Sequence, residues 1–293
     1  FMNQKKKFGR KVISYVLALV MVFSTMTGIV PGTSLTAQAD VTPHEHNDIT
    51  FQVWDNSISL PTEAGNYYLG CDVTSQGENN SEYNEYEPVN WLVPSGTTNL
   101  CLNGHSIHIV GKWSSINVTS ESTLNIYDDG ETSSAIVQGD SDAEVSMINV
   151  QGGQLNLYSG TLSGAFTVRI DESGTFNMYG GNVQGSSSVY VENGVFRLEG
   201  GQIKSTGQGV GVGDSGNFTM SGGKITGSSS YQPAVGVSGT FTMSGGEICN
   251  NNCPSNDWGT VSVGGTFNME GGSIYGNIAG NGGGIGVVRN GTF

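Results

Sequence analysis

The sequence predicts an all-β chain folded as a parallel β-helix, and three observations carry that prediction. A phrase of the form Phe-x-Met-x-Gly-Gly-x-Ile recurs through the second half, as in Phe218-Thr-Met220-Ser-Gly222-Gly223-Lys-Ile225. Its copies begin at Phe176, Phe196, Phe218, Phe241, Phe267 and Phe293, at steps of 20, 22, 23, 26 and 26 residues. Each phrase is preceded by an alternating apolar pair, from Val168/Ile170 to Ile285/Val287. Self-similarity at this period marks a stack of small units, none of which can bury its apolar face alone.

Within the phrase, apolar and polar residues alternate with the two-residue period of a strand that has one buried face. Phe218 and Met220 point one way, Thr219 and Ser221 the other. The Gly-Gly pair supplies a corner, since glycine tolerates positive φ without steric cost. The Ile that follows seeds a third short strand, and a loop of varying length leads to the next Val pair. Between pair and phrase lies a short turn such as Asp214-Ser215-Gly216. One repeat is therefore three strands and three corners in about 20–26 residues. A leucine-rich repeat of similar length would need a Leu-x-x-Leu-x-Leu-x-x-Asn ladder, which is missing. A calcium-binding nonapeptide roll would need an Asp that Gly282-Gly283-Gly284-Ile285-Gly286 does not supply.

Along the chain, residues 1–39 read as a secretory signal peptide. Lys5, Lys6, Lys7, Arg10 and Lys11 form a basic start, Val12 to Met26 is apolar, and Ala37-Gln38-Ala39 is a cleavage site before Asp40. The apolar stretch is short for a bilayer span, which needs about 20 residues. Phe1 ahead of Met2 suggests a reading frame opened slightly upstream. Residues 40–98 lack the repeat and are expected to cap the open end of the helix, with 75–87 as a polar loop. Coils are expected from residue 99 to 293, beginning at Leu100-Cys101-Leu102, with Leu155-Asn-Leu157-Tyr-Ser159-Gly160 as a degenerate copy. The last coil is cut off, so a fragment of a longer protein is expected.

All 25 acidic residues but only 6 of the 11 basic ones lie beyond residue 39, so the expected mature part carries a net charge of −19. Nucleic acid and anionic membrane surfaces both need a basic footprint, and both are excluded as partners. Export permits disulfides, and four cysteines allow three connectivities. The candidate pairs are Cys71 with Cys101, which faces outward between inward Leu100 and Leu102, and Cys249 with Cys253 across a surface loop.

The segment from Leu60-Pro61 through Gly65-Asn-Tyr67-Tyr68-Leu69 to Leu100-Cys-Leu102-Asn103-Gly104-His105-Ser-Ile107, with the coils that follow, resembles exported β-helix proteins of Gram-positive, often gut-associated, bacteria. These belong to the pectin-lyase-like, right-handed β-helix class. The resemblance spans residues 60–293 and implies a right-handed helix, secretion and display at the bacterial cell surface. It says little about activity.

The class includes polysaccharide lyases and glycoside hydrolases, so catalysis has to be sought in the residues. The bases Lys112, Arg169, Arg197, Lys204, Lys224 and Arg289 do not converge with acids at equivalent strand positions. Asp128-Asp129-Gly130 reads as a turn and Asp140-Ser-Asp142 as a loop. His105 reads as structural. His44-Glu45-His46 has metal-gripping spacing but is expected to belong to a terminal tail, and no metal or cofactor is called for. Gly209-x-Gly211-x-Gly213 mimics a nucleotide loop but falls on the Val strand with no helix after it. The outward positions Asn177, Arg197, Thr219, Thr242 and Asn268 form a polar stripe, and loops carrying Tyr231, Trp258 and Tyr275 place aromatics nearby. Such a face suits host or dietary glycans or cell-wall components, and it equally describes ordinary solvated surface, the reading preferred here. The expected function is a non-enzymatic surface rod; the alternative is a polysaccharide-degrading enzyme whose active face lies in further coils.

Overall fold

A computed structural model describes residues 44–46, 48–76, 89–111, 115–130, 134–138, 145–255, 257–280, 282–288 and 290–293. The expected signal peptide, Lys112, Arg289, Asp140-Ser-Asp142 and most of the 75–87 loop lie outside the described residues. Among the described residues every regular element is a strand, and the strands wind as a parallel β-helix.

The first nine strands set the pattern: β1 (His44–His46), β2 (Ile49–Trp54), β3 (Asn66–Leu69), β4 (Val73–Gln76), β5 (Val89–Leu92), β6 (Gly96–Cys101), β7 (Ile107–Val110), β8 (Ser115–Thr119) and β9 (Ser122–Tyr127). Three successive strands complete one coil, so β3 pairs with β6, β4 with β7 and β5 with β8, all parallel. Three faces result. The first carries the Phe/Met phrase, the second the Ile that follows Gly-Gly, and the third the Val pair. Parallel pairing runs back through β3 to β2, further toward the N-terminus than the repeat phrase does.

Like stacks on like throughout. Phe176, Phe196, Phe218, Phe241 and Phe267 are register partners, their rings parallel at centroid spacings of 4.4–5.0 Å. Val189, Val210, Val235 and Val261 form the equivalent ladder on the third face, and Val183, Ile203, Ile225 and Ile248 on the second. These side chains are essentially inaccessible to solvent. Outward polar residues ladder too. The amide of Asn125 donates to Asn99, that of Asn156 to Asn125, and that of Asn177 to Asn156, at 2.6–2.8 Å. Arg197 closes the run with a 3.1 Å bond to Asn177.

The two glycines of each corner perform different tasks. Only the second has positive φ, at +73° for Gly181, +80° for Gly201, +72° for Gly223, +85° for Gly246 and +84° for Gly272. The first is needed for close approach: a Cβ on Gly222 would collide with the carbonyl oxygen of Glu199 in the preceding coil. In the degenerate copy Ser159 takes that first place, where its hydroxyl accepts the Asp128 amide at 2.6 Å.

From Phe176 onward the corner between second and third faces varies most in length. Short connections, such as Leu162 to Val168, stay extended, giving single strands over Thr161–Asp171, Asn182–Val191 and Gln202–Val212. Buried hydroxyls hold these bends; Ser205 donates to the carbonyls of its own and the neighbouring coil. Longer connections, Ile225 to Val235 and Ile248 to Val261, leave the strand as loops.

At the N-terminal end, Leu60 is buried against the first coil, and the indoles of Trp54 and Trp91 donate to the carbonyls of Ser59 and Pro61 at 2.8 Å. Beyond it, β1 pairs antiparallel with β2, the one antiparallel pair among the described strands.

The packing sets the stability of three variants. Gly222→Ala should lower the unfolding free energy by about 2–4 kcal/mol, because coil and carbonyl must separate, while Thr219→Ala on the outward face should change it by no more than ~0.5 kcal/mol; urea unfolding followed by circular dichroism measures both. Asn156→Ala, which strips Asn125 and Asn177 of ladder partners, should cost about 1–3 kcal/mol in the same assay.

Candidate functional site

Three outward surfaces are available, and the residues expected to form one glycan-contacting stripe are spread over all of them. Thr219, Thr242 and Asn268 are register neighbours on the outside of the Phe-bearing sheet. Asn177, expected beside them as an exposed contact, is buried within the amide ladder and fully engaged there. Tyr231 and Trp258 stand over the Val-bearing face, 71% and 56% exposed. Tyr275 lies on the Ile-bearing face, where its hydroxyl donates to Glu247 at 3.0 Å. The reason is topological. In the coils from Phe176 onward the long loops leave between the second and third faces, the corner opposite the Phe-bearing sheet, which keeps their aromatics away from Thr219 and Asn268.

The Val-bearing face carries two adjoining grooves. Its central outward residue, the middle of each Val-x-Val, runs Arg169, Tyr190, Gly211, Gly236, Ser262 in successive coils. Two large side chains thus give way to two glycines, and the step leaves a depression of about 640 Å³ walled by Tyr190, Tyr231 and Trp258. Gln208 lies across its glycine floor, its amide oxygen 2.7 Å from where a Cβ on Gly211 would stand. The glycine spacing that resembles a nucleotide loop therefore has another use: it hollows a strand face. Burial, and secondarily the Glu192 carboxylate, push the Tyr190 phenol above its ordinary pKa.

The neighbouring groove, about 560 Å³, holds Asn149, Gln151, Phe166 and Arg169. The sequence reading finds no base converging with acids at equivalent strand positions; Lys224 in fact meets its register partner Glu247 at 3.5 Å, and Arg169 meets two acids displaced along the strand. The Arg169 guanidinium lies 3.3 Å from both Asp171 and Glu192 and 5.9 Å from the Tyr190 ring centre. Asp171 ends one Val strand and Glu192 follows the next, so coil stacking brings them together across a sequence gap that local pattern does not bridge.

A third grouping sits on the outside of the Phe-bearing sheet near the N-terminus. One outward ladder there reads Tyr68, Cys101, Tyr127, Tyr158, Tyr179. Cys101 is its only small member, and β1 fills the gap. His44 stacks on Tyr68 at 4.4 Å and His46 on Tyr127 at 4.9 Å, and both rings pack edge-on to Phe51. Their Nε2 atoms are 3.1 Å apart, and each is 3.9 Å from Asp129 Oδ2. The Cys101 thiol, wholly buried, donates to Asp129 Oδ1 at 3.3 Å. Burial first, and then the bond to Asp129, push that thiol up to about 12. Burial likewise lowers the His46 pKa, against the opposing pull of Asp129. His44 and His46, expected as a tail, thus belong to a packed strand. Asp128-Asp129-Gly130 divides its work: Asp128 caps the turn by accepting from Gly104 and Gly130, and Asp129 turns toward the thiol.

All four cysteines of the candidate pairs Cys71–Cys101 and Cys249–Cys253 are free in this structure. Cys101 is committed to Asp129, and Cys249 and Cys253 fall on separate strands, Glu247–Cys249 and Asn252–Cys253, with Cys249 beside Glu247. His105, expected to be structural, pairs with Asp72 at 3.4 Å. No protein-family model matches the chain, and no curated protein or solved structure is significantly similar to it.

Proposed function

We propose that this chain is an exported, surface-displayed β-helix scaffold that contacts carbohydrate along its Val-bearing face and performs no catalysis. The observation that carries the reading is the glycine-floored groove between Tyr190, Tyr231 and Trp258. Sugar rings present flat C–H faces that pack on aromatic planes, and their hydroxyls pair with amide side chains such as Gln208 and Gln232. Gly211 and Gly236 leave room for the Gln208 amide to lie flat over the strand, where it forms the floor on which a ring would rest. The acidic balance beyond residue 39 supports neutral or amine-bearing glycans over polyanions.

A second reading rests on Arg169 with Asp171 and Glu192, an arginine flanked by two carboxylates beside an aromatic ring. That grouping suits cleavage of a uronic-acid polysaccharide, with the arginine binding the sugar carboxylate or acting on the proton beside it. Mutual ion pairing of all three groups, which leaves none of them poised, favours the scaffold.

On a panel of immobilised plant, host and cell-wall glycans the purified chain should bind at least one, and Trp258→Ala and Tyr231→Ala should each weaken that binding by roughly tenfold. Binding unchanged in both variants would remove the groove from the account. Incubated with the same polysaccharides in solution, the chain should release no oligosaccharides by size-exclusion chromatography. Release that disappears in Asp171→Asn would establish the enzyme instead.

A further inference from the structure

We propose that His44, His46, Cys101 and Asp129 form a closed structural site for a divalent transition-metal ion, zinc being the ion best suited to the donors. Two imidazole nitrogens, a thiolate and a carboxylate are the ligand types zinc takes, and four protein ligands with none left open mark a structural rather than a catalytic site.

The four ligand groups already converge to within a small contraction of tetrahedral spacing. A tetrahedral zinc with bonds of about 2.0–2.3 Å holds its ligand atoms about 3.3–3.7 Å apart. Here the His44 and His46 Nε2 atoms are 3.1 Å apart, each lies 3.9 Å from Asp129 Oδ2, Cys101 Sγ lies 3.3 Å from Asp129 Oδ1, and one ligand atom from each of the four residues lies within 4.8 Å of the others. The rings are also held in place: each imidazole is stacked on a tyrosine of the ladder and braced by Phe51. Preset rotamers spare the ion the cost of ordering its ligands.

The charges close as well. On binding, the Cys101 S–H bond breaks, its electron pair goes to the metal, and its proton leaves to solvent. Thiolate and carboxylate then neutralise the 2+ ion, with both imidazoles neutral, so no net charge is placed beside the buried Phe51–Cys101–Tyr127 cluster. Asp129, the most exposed of the four, offers the route of entry.

The ligands come from β1, β6 and the turn after β9. A bound ion would therefore fasten the N-terminal hairpin across the outside of the first coils. All four residues lie downstream of the expected cleavage point at Ala39, so processing would leave the site intact. A Cys71–Cys101 disulfide and this site exclude each other.

The test uses the full chain purified without a histidine tag. Elemental analysis should find one zinc per chain. Cobalt(II) added to the zinc-stripped protein should give a thiolate-to-cobalt charge-transfer band with tetrahedral d–d absorption. Cys101→Ser should abolish the charge-transfer band, and His44→Ala/His46→Ala, confined to the terminal hairpin outside the coils, should weaken cobalt binding by roughly a hundredfold or more while β-sheet circular dichroism is retained. Chelator should lower the thermal midpoint of the zinc-loaded parent but leave that of the double histidine variant unchanged. The proposal is overturned if the parent neither retains zinc nor develops the band, if cobalt binds the double variant as tightly as the parent, or if mass spectrometry finds Cys101 in a disulfide.

Discussion

Every other feature of this protein follows from the requirement that each coil place its side chains directly over those of the coil before. Parallel strands repeat at about 4.8 Å, which is also a good stacking distance for flat rings and for amide-to-amide hydrogen bonds. The Phe ladder at 4.4–5.0 Å and the Asn ladder at 2.6–2.8 Å are two readings of that one spacing. The same closeness leaves no room for a Cβ at the first glycine of each corner. In the coils from Phe176 onward the largest length variation falls at the corner between second and third faces, where a loop leaves without shifting the register of the coils on either side.

What was legible in the sequence was whatever repeats. Phe, Met, Ile and Val announced the three inward ladders because each recurs with fixed neighbours and a period-two alternation. Outward residues were harder, because their environment is set by residues one coil away, more than twenty positions distant and across connections of unequal length. Asn177 shows the effect: alternation marks it as outward, and it is outward, yet it is buried between the Asn156 amide and the Arg197 guanidinium. Cys101 is the same case, an outward residue buried by a strand some fifty-five residues earlier. The pairing of Arg169 with Asp171 and Glu192 needed both the bend of one strand and the register of the next. A signal was present for the groove, since Val-Arg-Ile, Val-Tyr-Val, Val-Gly-Val and Val-Gly-Val lie in order along the chain. Comparing the middle residues coil by coil would have exposed the step from large to small.

That step bears on how a repetitive scaffold acquires specificity. A ladder identical in every coil offers a ligand many equivalent positions and so no defined site. Recognition at one place requires the repeat to be broken on the outside while it is kept on the inside. The Val-bearing face does this: Val189, Val210 and Val235 stay in register inward while Tyr190, Gly211 and Gly236 change outward. Core packing and surface chemistry are thereby separated, since neither glycine removes an inward contact.

At β1 the same device, an outward break in a ladder, serves a different purpose. A stack of parallel coils ends in a bare strand edge and an open core, both of which invite further pairing. Leu60 and Trp91 are buried beside the first described coils with Trp54 packed against them, and β1 pairs antiparallel with β2. A three-residue strand has little of its own to hold it, and neither glutamate nor histidine favours a sheet edge for apolar reasons. Its hold comes from the break at Cys101 in the tyrosine ladder. A tyrosine there would continue the stack and shut the imidazoles out; a cysteine leaves a slot flanked by Tyr68 and Tyr127 that the two rings fill. The small residue that admits the strand is also the one whose sulfur meets it, so the docking of β1 and the chemistry of Cys101 cannot be varied independently.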